Sequence, residues 1–377
     1  MTRVDDSRHV AVLIGTRPEA IKLMPVIRAL EDAAIPLRVL VTGQHRELLD
    51  PILAELGIKP DENLQLMTAG QSLAEISARV LSGSERLFRA RRPRVVVIQG
   101  DTTSVAMGAL AAFYEGIAVA HVEAGLRTGN TRNPFPEEIN RRLVACVADV
   151  HFAPTERARE SLLRESVPPE HIHVVGNTVI DALFLARDRF IGTLEPDPML
   201  EEATRRGRRV ILVTAHRRES FGADLDAICL GLRAVARQLS EAVQIVFPVH
   251  LNPSVQSQVR ASLGDLPNVR LLPPVQYLSF VRLLSRSSIV ITDSGGVQEE
   301  AAALGVPTLV VRHVTERAEA VEAGVAQLVG PHTERIIEAV HTLLTDKTAY
   351  GARAIPTNAF GDGFAATRIV DVLKGLM

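Results

Sequence analysis

Apolar residues in the first half of the chain come in short, nearly unbroken runs, at residues 9–14, 37–42, 94–99, 118–123, 150–152 and 172–175. Runs of this length, rich in β-branched residues, suit strands buried on both faces, as in parallel sheets covered by helices. Between them, as at 73–90 and 155–165, apolar positions recur every three or four residues, the period of an amphipathic helix. The alternation predicts a doubly wound parallel sheet. A helical stretch at 179–191 leads into Gly192-Thr193-Leu194-Glu195-Pro196-Asp197-Pro198, a break that suits a domain boundary. A second series follows, with strands at 210–214, 243–248, 269–272, 288–292, 307–311 and 326–329 and helices at 225–239 and 333–345. The chain closes on one more amphipathic stretch at 365–376. The expected architecture is α/β: two Rossmann-like domains, 1–192 and 193–362, facing one another across a cleft, with a terminal helix in 363–377 packing back on the first.

Composition narrows the class. With 377 residues, 46% of them hydrophobic, the chain supports two cores of ordinary size. No apolar stretch approaches the roughly 20 residues of a membrane span, and Met1-Thr2-Arg3-Val4-Asp5-Asp6 lacks the apolar centre of a signal peptide. A cytoplasmic protein without a membrane partner is expected. A formal net charge of -2 argues against nucleic acid as the main partner, so an anionic ligand has to be met by local basic groups. Cys146 and Cys229 both fall in apolar helical patterns and are expected as buried, reduced thiols. No His, Cys, Asp or Glu spacing fits a metal site, and neither a metal nor a cofactor is expected.

Candidate chemistry gathers where the apolar runs stop. Asp101 and Glu123 directly follow two of them, and Glu137 follows Asn133-Pro134-Phe135-Pro136. Acids just past the carboxyl ends of buried parallel strands line the crevice where open α/β sheets bind ligands. Three acids there point to proton chemistry, the alternative being hydrogen-bonding roles that order the cleft. In Gly15-Thr16-Arg17-Pro18-Glu19-Ala20-Ile21-Lys22, Pro18 suits the first turn of a helix, and Arg17 and Lys22 then flank an N-terminus that favours anions. An ordinary capped turn carries equal weight there, and the loop is neither a Walker nor a GxGxxG sequence. Further on, Asp293-Ser294-Gly295-Gly296 offers backbone N–H groups to a diphosphate, with Glu300 one turn later facing ribose hydroxyls. The competing reading is a tight turn with Ser294 as N-cap. His216, followed by Arg217 and Arg218 at a strand end, reads as functional, and Gln44, His45 and His250 also end strands.

Taken together, residues 15–22, Gly100-Asp101-Thr102-Thr103-Ser104, residues 121–129, Phe135-Pro136-Glu137-Glu138, Gly176-Asn177-Thr178, His216-Arg217-Arg218-Glu219, Asp293-Ser294-Gly295-Gly296 with Gln298-Glu299-Glu300, and Thr315-Glu316-Arg317 resemble the non-hydrolysing UDP-N-acetylglucosamine 2-epimerases. The similarity runs from about residue 10 to the C-terminus in that family's order. It implies a glycosyltransferase-B type of fold, a homodimer, and interconversion of UDP-N-acetylglucosamine with UDP-N-acetylmannosamine by elimination and re-addition of UDP through a 2-acetamidoglucal. A product destined for cell-envelope polysaccharide is part of the same implication. Carried over by motif, Asp101, Glu123 and Glu137 are acid/base candidates and His216 assists the leaving diphosphate. Arg17 and Lys22 belong to the nucleotide-sugar site, while Ser294, Gly295, Gly296, Glu300 and Arg317 hold diphosphate and ribose. Phe280 lies against the uracil, with backbone near Val275 completing its contacts.

Many relatives bind a second UDP-N-acetylglucosamine as activator. Gln44, His45, Arg217 and His250 match that pocket, whereas Glu47 and Gly70 replace a Gln and an Arg of some members, so its presence stays open. Ser220, Ala318 and the segment Asn358-Ala359-Phe360-Gly361-Asp362-Gly363 also depart from the family's usual Asn, Pro and Asn-Pro-Tyr-Gly-Asp-Gly, without removing a proposed acid or base. Three rival readings are a hydrolysing epimerase, a glycosyltransferase of the same fold and a non-catalytic nucleotide-sugar sensor. The intact loop from Arg17 to Lys22 weighs against the first, and the three acids against the other two.

Overall fold

The structure, a computed structural model, describes residues 9–43, 46–66, 70–198, 201–202, 206–215 and 222–377. It divides into two compact units, one of Met1–Ala182 with Gly361–Met377 and one of Leu183–Phe360.

In the first unit the apolar runs become β1 (Val10–Ile14), β2 (Leu37–Val41), β4 (Val95–Gln99), β5 (Ala118–Val122), β6 (Val150–Ala153) and β7 (Ile172–Val174). A short β3 (Glu62–Asn63) joins the edge, giving the order β3-β2-β1-β4-β5-β6-β7 with every pairing parallel. β1 and β4 are buried along their whole length, which explains why they carry Val, Leu and Ile on both faces. Helix Leu73–Ala90 begins at a capping box in which Ser72 accepts from the Glu75 amide and Glu75 accepts from the Ser72 amide. The terminal helix Ala365–Lys374 packs against helix Arg17–Asp32. Asp181 caps its start, accepting from the Ala366 amide at 2.8 Å, and burial pushes this carboxyl up to about 6.

The second unit holds β8 (Arg209–Thr214), β9 (Val243–Pro248), β10 (Val269–Leu272), β11 (Ile289–Thr292), β12 (Thr308–Val310) and β13 (Ala326–Leu328), all parallel in the order β10-β9-β8-β11-β12-β13. Ile211, Ile245, Phe247 and Ile291 of this sheet pack with Leu232 and Val235 of helix Ala223–Gln238 and Val340 of helix Thr333–Thr345. In each sheet the strand order reverses once, between β1 and β4 in the first and between β8 and β11 in the second. These reversals are the positions where loops diverge to opposite faces and leave a crevice at the carboxyl edge.

Two features differ from the sequence reading. The units divide after Ala182, inside the helical stretch, rather than at Gly192. Past helix Thr178–Leu185 the chain widens into a π turn (Ala186–Phe190), and the Arg282 guanidinium then grips the Ile191 and Leu194 carbonyls at 3.1 and 2.7 Å. Those bonds tie the segment on both sides of Gly192-Thr193 to the second unit. Cys229 is buried as expected, its thiol pushed up to about 12 by desolvation, but Cys146 is exposed. It lies on the outward face of helix Glu137–Val147, on the same stripe as exposed Ile139 and Leu143, so the apolar period there marks a surface instead of a core.

Candidate active site

The loops after β1, β4 and β5 are tied together by charged side chains. Asp101 follows β4; the Arg141 Nε donates to its Oδ2 at 2.8 Å, and the Asn140 amide donates to its backbone carbonyl at 2.9 Å. Both partners sit on helix Glu137–Val147, so that helix aims the Asp101 turn. Glu123 follows β5, is 8% exposed, and has φ +64, a left-handed conformation uncommon outside glycine. Its Oε2 accepts from the Lys22 ammonium and from the Gln99 amide at the end of β4. The Glu137 side chain, half-buried at the first position of its helix, makes no hydrogen bond or ion pair among the described residues.

Several residues that sequence reasoning left without a role complete this network. Glu138 is fully buried and accepts from the Thr128 and Gly129 amides at 3.0 and 3.3 Å and from Arg142 at 3.1 Å, with Arg141 at 3.6 Å. Burial works to raise its carboxyl, but the Thr128 amide, Arg142 and Arg141 outweigh that and hold it below the usual carboxylate range. Glu19, 2% exposed, accepts from the Gly15 and Thr16 amides and from the Thr16 and Thr102 hydroxyls. Burial pushes it up to about 7 against those bonds. His121 donates through Nε2 to the Gly100 carbonyl at 2.8 Å, and desolvation lowers it to about 3, so the imidazole is neutral. The Thr-x-x-Glu spacing at Thr16 and Glu19 was the one available signal for this group, being the signature of a capping box.

In the second unit, Ser294 occupies the N-cap position of helix Gly295–Leu304 but its side chain makes no capping bond. Its own amide is met by the Thr292 hydroxyl at 2.9 Å. Arg317 lies across Gly295, where a Cβ would come 3.2 Å from the guanidinium carbon, and its Nε donates to Glu299. Glu300, one turn into the helix and 5% exposed, accepts from the Tyr277 hydroxyl at 3.1 Å. Tyr277 and Glu299 were not assigned roles from sequence. Ser294, Gly295, Gly296, Glu300 and Arg317 therefore gather at the carboxyl end of β11, next to the strand-order reversal. Phe280 is half-buried on helix Tyr277–Ser285 and Val275 lies in the loop before it, after β10. His250, exposed past the end of β9, accepts from the Asn252 amide at 3.1 Å.

His216, Arg217, Gln44 and His45 lie outside the described residues. Arg17 is the first residue of helix Arg17–Asp32, and Lys22, five residues further along it, is turned to Glu123. Among the described residues no group of three metal-binding side chains occurs, and no helix is long and apolar enough to cross a membrane.

Comparison with known proteins places this arrangement in one family. The family model described as UDP-N-acetylglucosamine 2-epimerase matches residues 28–374. A UDP-N-acetylglucosamine 2-epimerase from Yersinia pestis is 48% identical over 371 residues, covering 97% of this chain and 98% of the relative. A crystal structure of the Neisseria meningitidis epimerase bound to UDP-GlcNAc superposes with a TM-score of 0.89 at 42% identity, covering 97% of this chain and 100% of that one. A Methanocaldococcus jannaschii epimerase in complex with UDP-GlcNAc and UDP gives 0.81 at 35% identity, covering 97% and 99%. With its two parallel α/β sheets and its full-length match, the chain belongs to the UDP-N-acetylglucosamine 2-epimerase family.

Proposed function

We propose that this protein interconverts UDP-N-acetylglucosamine and UDP-N-acetylmannosamine by eliminating UDP to a 2-acetamidoglucal and adding it back. The observation that carries the reading is the placement of Asp101, held by Arg141, and Glu123, held by Lys22 and Gln99, at the carboxyl edge of the first sheet, with Glu137 opening the helix that carries Arg141. Relatives solved with UDP-GlcNAc and UDP support the ligand assignment. The sugar C2–H has no adjacent carbonyl to acidify it, so direct removal and return of the proton is slow. In the elimination the C2 proton passes to a carboxylate as the C1–O bond breaks, the electron pair leaves with the diphosphate, and C1 and C2 become doubly bonded. Re-addition reverses these steps with the proton delivered to the opposite face.

Glu123 and Asp101 are already bonded to basic or amide donors, whereas Glu137 has none among the described residues, which favours Glu137 as the group that exchanges a proton with C2. Ser294, the Gly295 and Gly296 amides and Arg317 suit the diphosphate, and Glu300 with Tyr277 suits the ribose. Exposed Phe113, Tyr114, Ile139 and Leu143 on the mutually packed helices Thr103–Tyr114 and Glu137–Val147 support a homodimer built on this face. The test is incubation with UDP-N-acetylglucosamine in deuterated water followed by NMR. Deuterium at C2 together with the manno epimer is expected. Free N-acetylmannosamine would assign hydrolysis instead, and no exchange would remove the epimerase reading.

A further inference from the structure

We propose that Glu19 is a positioning residue for the C2 chemistry, its buried carboxylate clamping the Arg17 and Lys22 segment to the turn that carries Asp101. The inference rests on the epimerase reading above and adds a residue to it. Three of the bonds to Glu19 are local: the Thr16 amide at 3.3 Å, which belongs to the capping box of helix Arg17–Asp32, the Gly15 amide at 2.6 Å and the Thr16 hydroxyl at 2.9 Å. A cap needs no more than these. The fourth, from the Thr102 hydroxyl at 2.8 Å, leaves the helix and reaches the residue next to Asp101.

β1 and β4 are neighbours at the reversal of strand order, so this bond ties together the two loops that border the crevice. The approach is close. A Cβ on Gly15 would stand 2.8 Å from the Ser104 Cβ and 3.1 Å from the Thr42 hydroxyl, so the Gly15 backbone lies directly against the first turn of helix Thr103–Tyr114. One turn along the same helix, Lys22 reaches Glu123. Glu19 and Lys22 thus address the β4 and β5 loops from a single rigid element, and a shift of that helix moves both acids relative to each other. The two amides, fixed donors, share Oε2, while the two hydroxyls, free to rotate, share Oε1.

The experiment compares Glu19→Ala, Glu19→Gln, Thr102→Val and Thr102→Ser, reading kcat and KM for C2 deuterium exchange, UDP binding and the melting temperature. In Glu19→Gln the amide oxygen keeps both backbone N–H donors while its NH2 turns to the two hydroxyls, which rotate to accept, so kcat should stay near that of the parent. Glu19→Ala should lose roughly 10²-fold in kcat, the size expected of a reacting group misplaced by about 1 Å, with KM and UDP binding nearly unchanged. Thr102→Val should lower kcat in the same KM-independent way, and Thr102→Ser should restore it. A parental kcat in Thr102→Val, or a Glu19→Ala loss that follows only the melting temperature, overturns the proposal. If the parent protein itself shows no C2 exchange, the epimerase reading falls and takes this role with it. Exchange in the parent and an unaffected Thr102→Val remove the Glu19 role alone.

Discussion

Glu137 and Glu138 are adjacent in sequence, yet the proposed mechanism gives them opposite work, and replacing each in turn by Gln separates the two. The Glu138 carboxylate is fully buried and receives two pairs of donors: Thr128 N with Arg141 on one oxygen, Gly129 N with Arg142 on the other. An amide in its place turns its NH2 toward one pair whichever way it flips. A buried backbone N–H then faces a donor, costing about 1–3 kcal/mol, and a guanidinium loses a charged partner, costing a further ~1.5–3 kcal/mol. The expected loss is about 3–5 kcal/mol, the range seen when one member of a buried ion pair is removed. For a unit of this size that is roughly 10 °C in melting temperature. Glu137→Gln touches no bonded partner among the described residues and should stay within about 0.5 kcal/mol of the parent. Its C2 exchange should fall by about 10²–10⁴-fold, the usual worth of a general acid or base. Thermal unfolding by circular dichroism and deuterium exchange by NMR read both outcomes. A Glu138→Gln protein that melts like the parent, or a Glu137→Gln protein that melts far below it, would refute the assignment.

Two further outcomes follow from the same geometry. Glu19 has a folded pKa of about 7 against an ordinary 4.5, so between those values the folded chain holds a proton that the unfolded chain releases, and its contribution to stability declines as pH rises through that window. Glu19→Gln should therefore gain on the parent by ~3 kcal/mol between about pH 4.5 and 7.5, read from denaturant unfolding of the first unit; a pH-independent difference would show that the carboxyl is not so perturbed. If the stripe of Phe113, Tyr114, Ile139 and Leu143 is covered by a second copy, Leu143→Glu should halve the mass seen by light scattering at micromolar concentration, and a parent that is already monomeric would remove the dimer reading.

Much of the fold was readable because the two sheets are parallel. Strands buried on both faces announce themselves as apolar runs, and helix Leu73–Ala90 is both amphipathic and marked at its start by Ser72 and Glu75. β3 was invisible since Glu62 and Asn63 offer no apolar signal; backbone pairing with Leu40 and Val41 and the Arg38–Glu62 ion pair at 3.0 Å hold it to β2. Cys146 was misplaced for a related reason: a three-to-four period shows that a helix face is apolar, not whether it meets a core or a surface. The unit boundary was placed at the Pro-containing break, whereas Arg282, far along the chain, draws residues 191–195 into the second unit.

The site divides along the same line. Asp101 and Glu123 were visible because each terminates an apolar run, a property of the local sequence. What holds them was not, because Arg141, Gln99 and Lys22 reach them, and Glu19 reaches Thr102 beside Asp101, through neighbour relations that chain order does not contain. β4 lies beside β1, although two strands intervene in sequence, and that adjacency brings Thr102 to Glu19. Glu123 shows what the arrangement demands locally. Its left-handed backbone costs on the order of 1–3 kcal/mol in a residue with a Cβ, and such a conformation persists only where the surroundings over-determine it. The Gln99 amide and the Lys22 ammonium converge on Oε2, and the peptide after Glu123 is fixed by the Ala124 amide bond to the Phe152 carbonyl at 3.0 Å. A glycine at 123 would relieve the strain and lose the carboxylate. That this strand end keeps an acid in a conformation suited to glycine makes the orientation of the carboxyl, and not the ease of the turn, the property the local structure preserves.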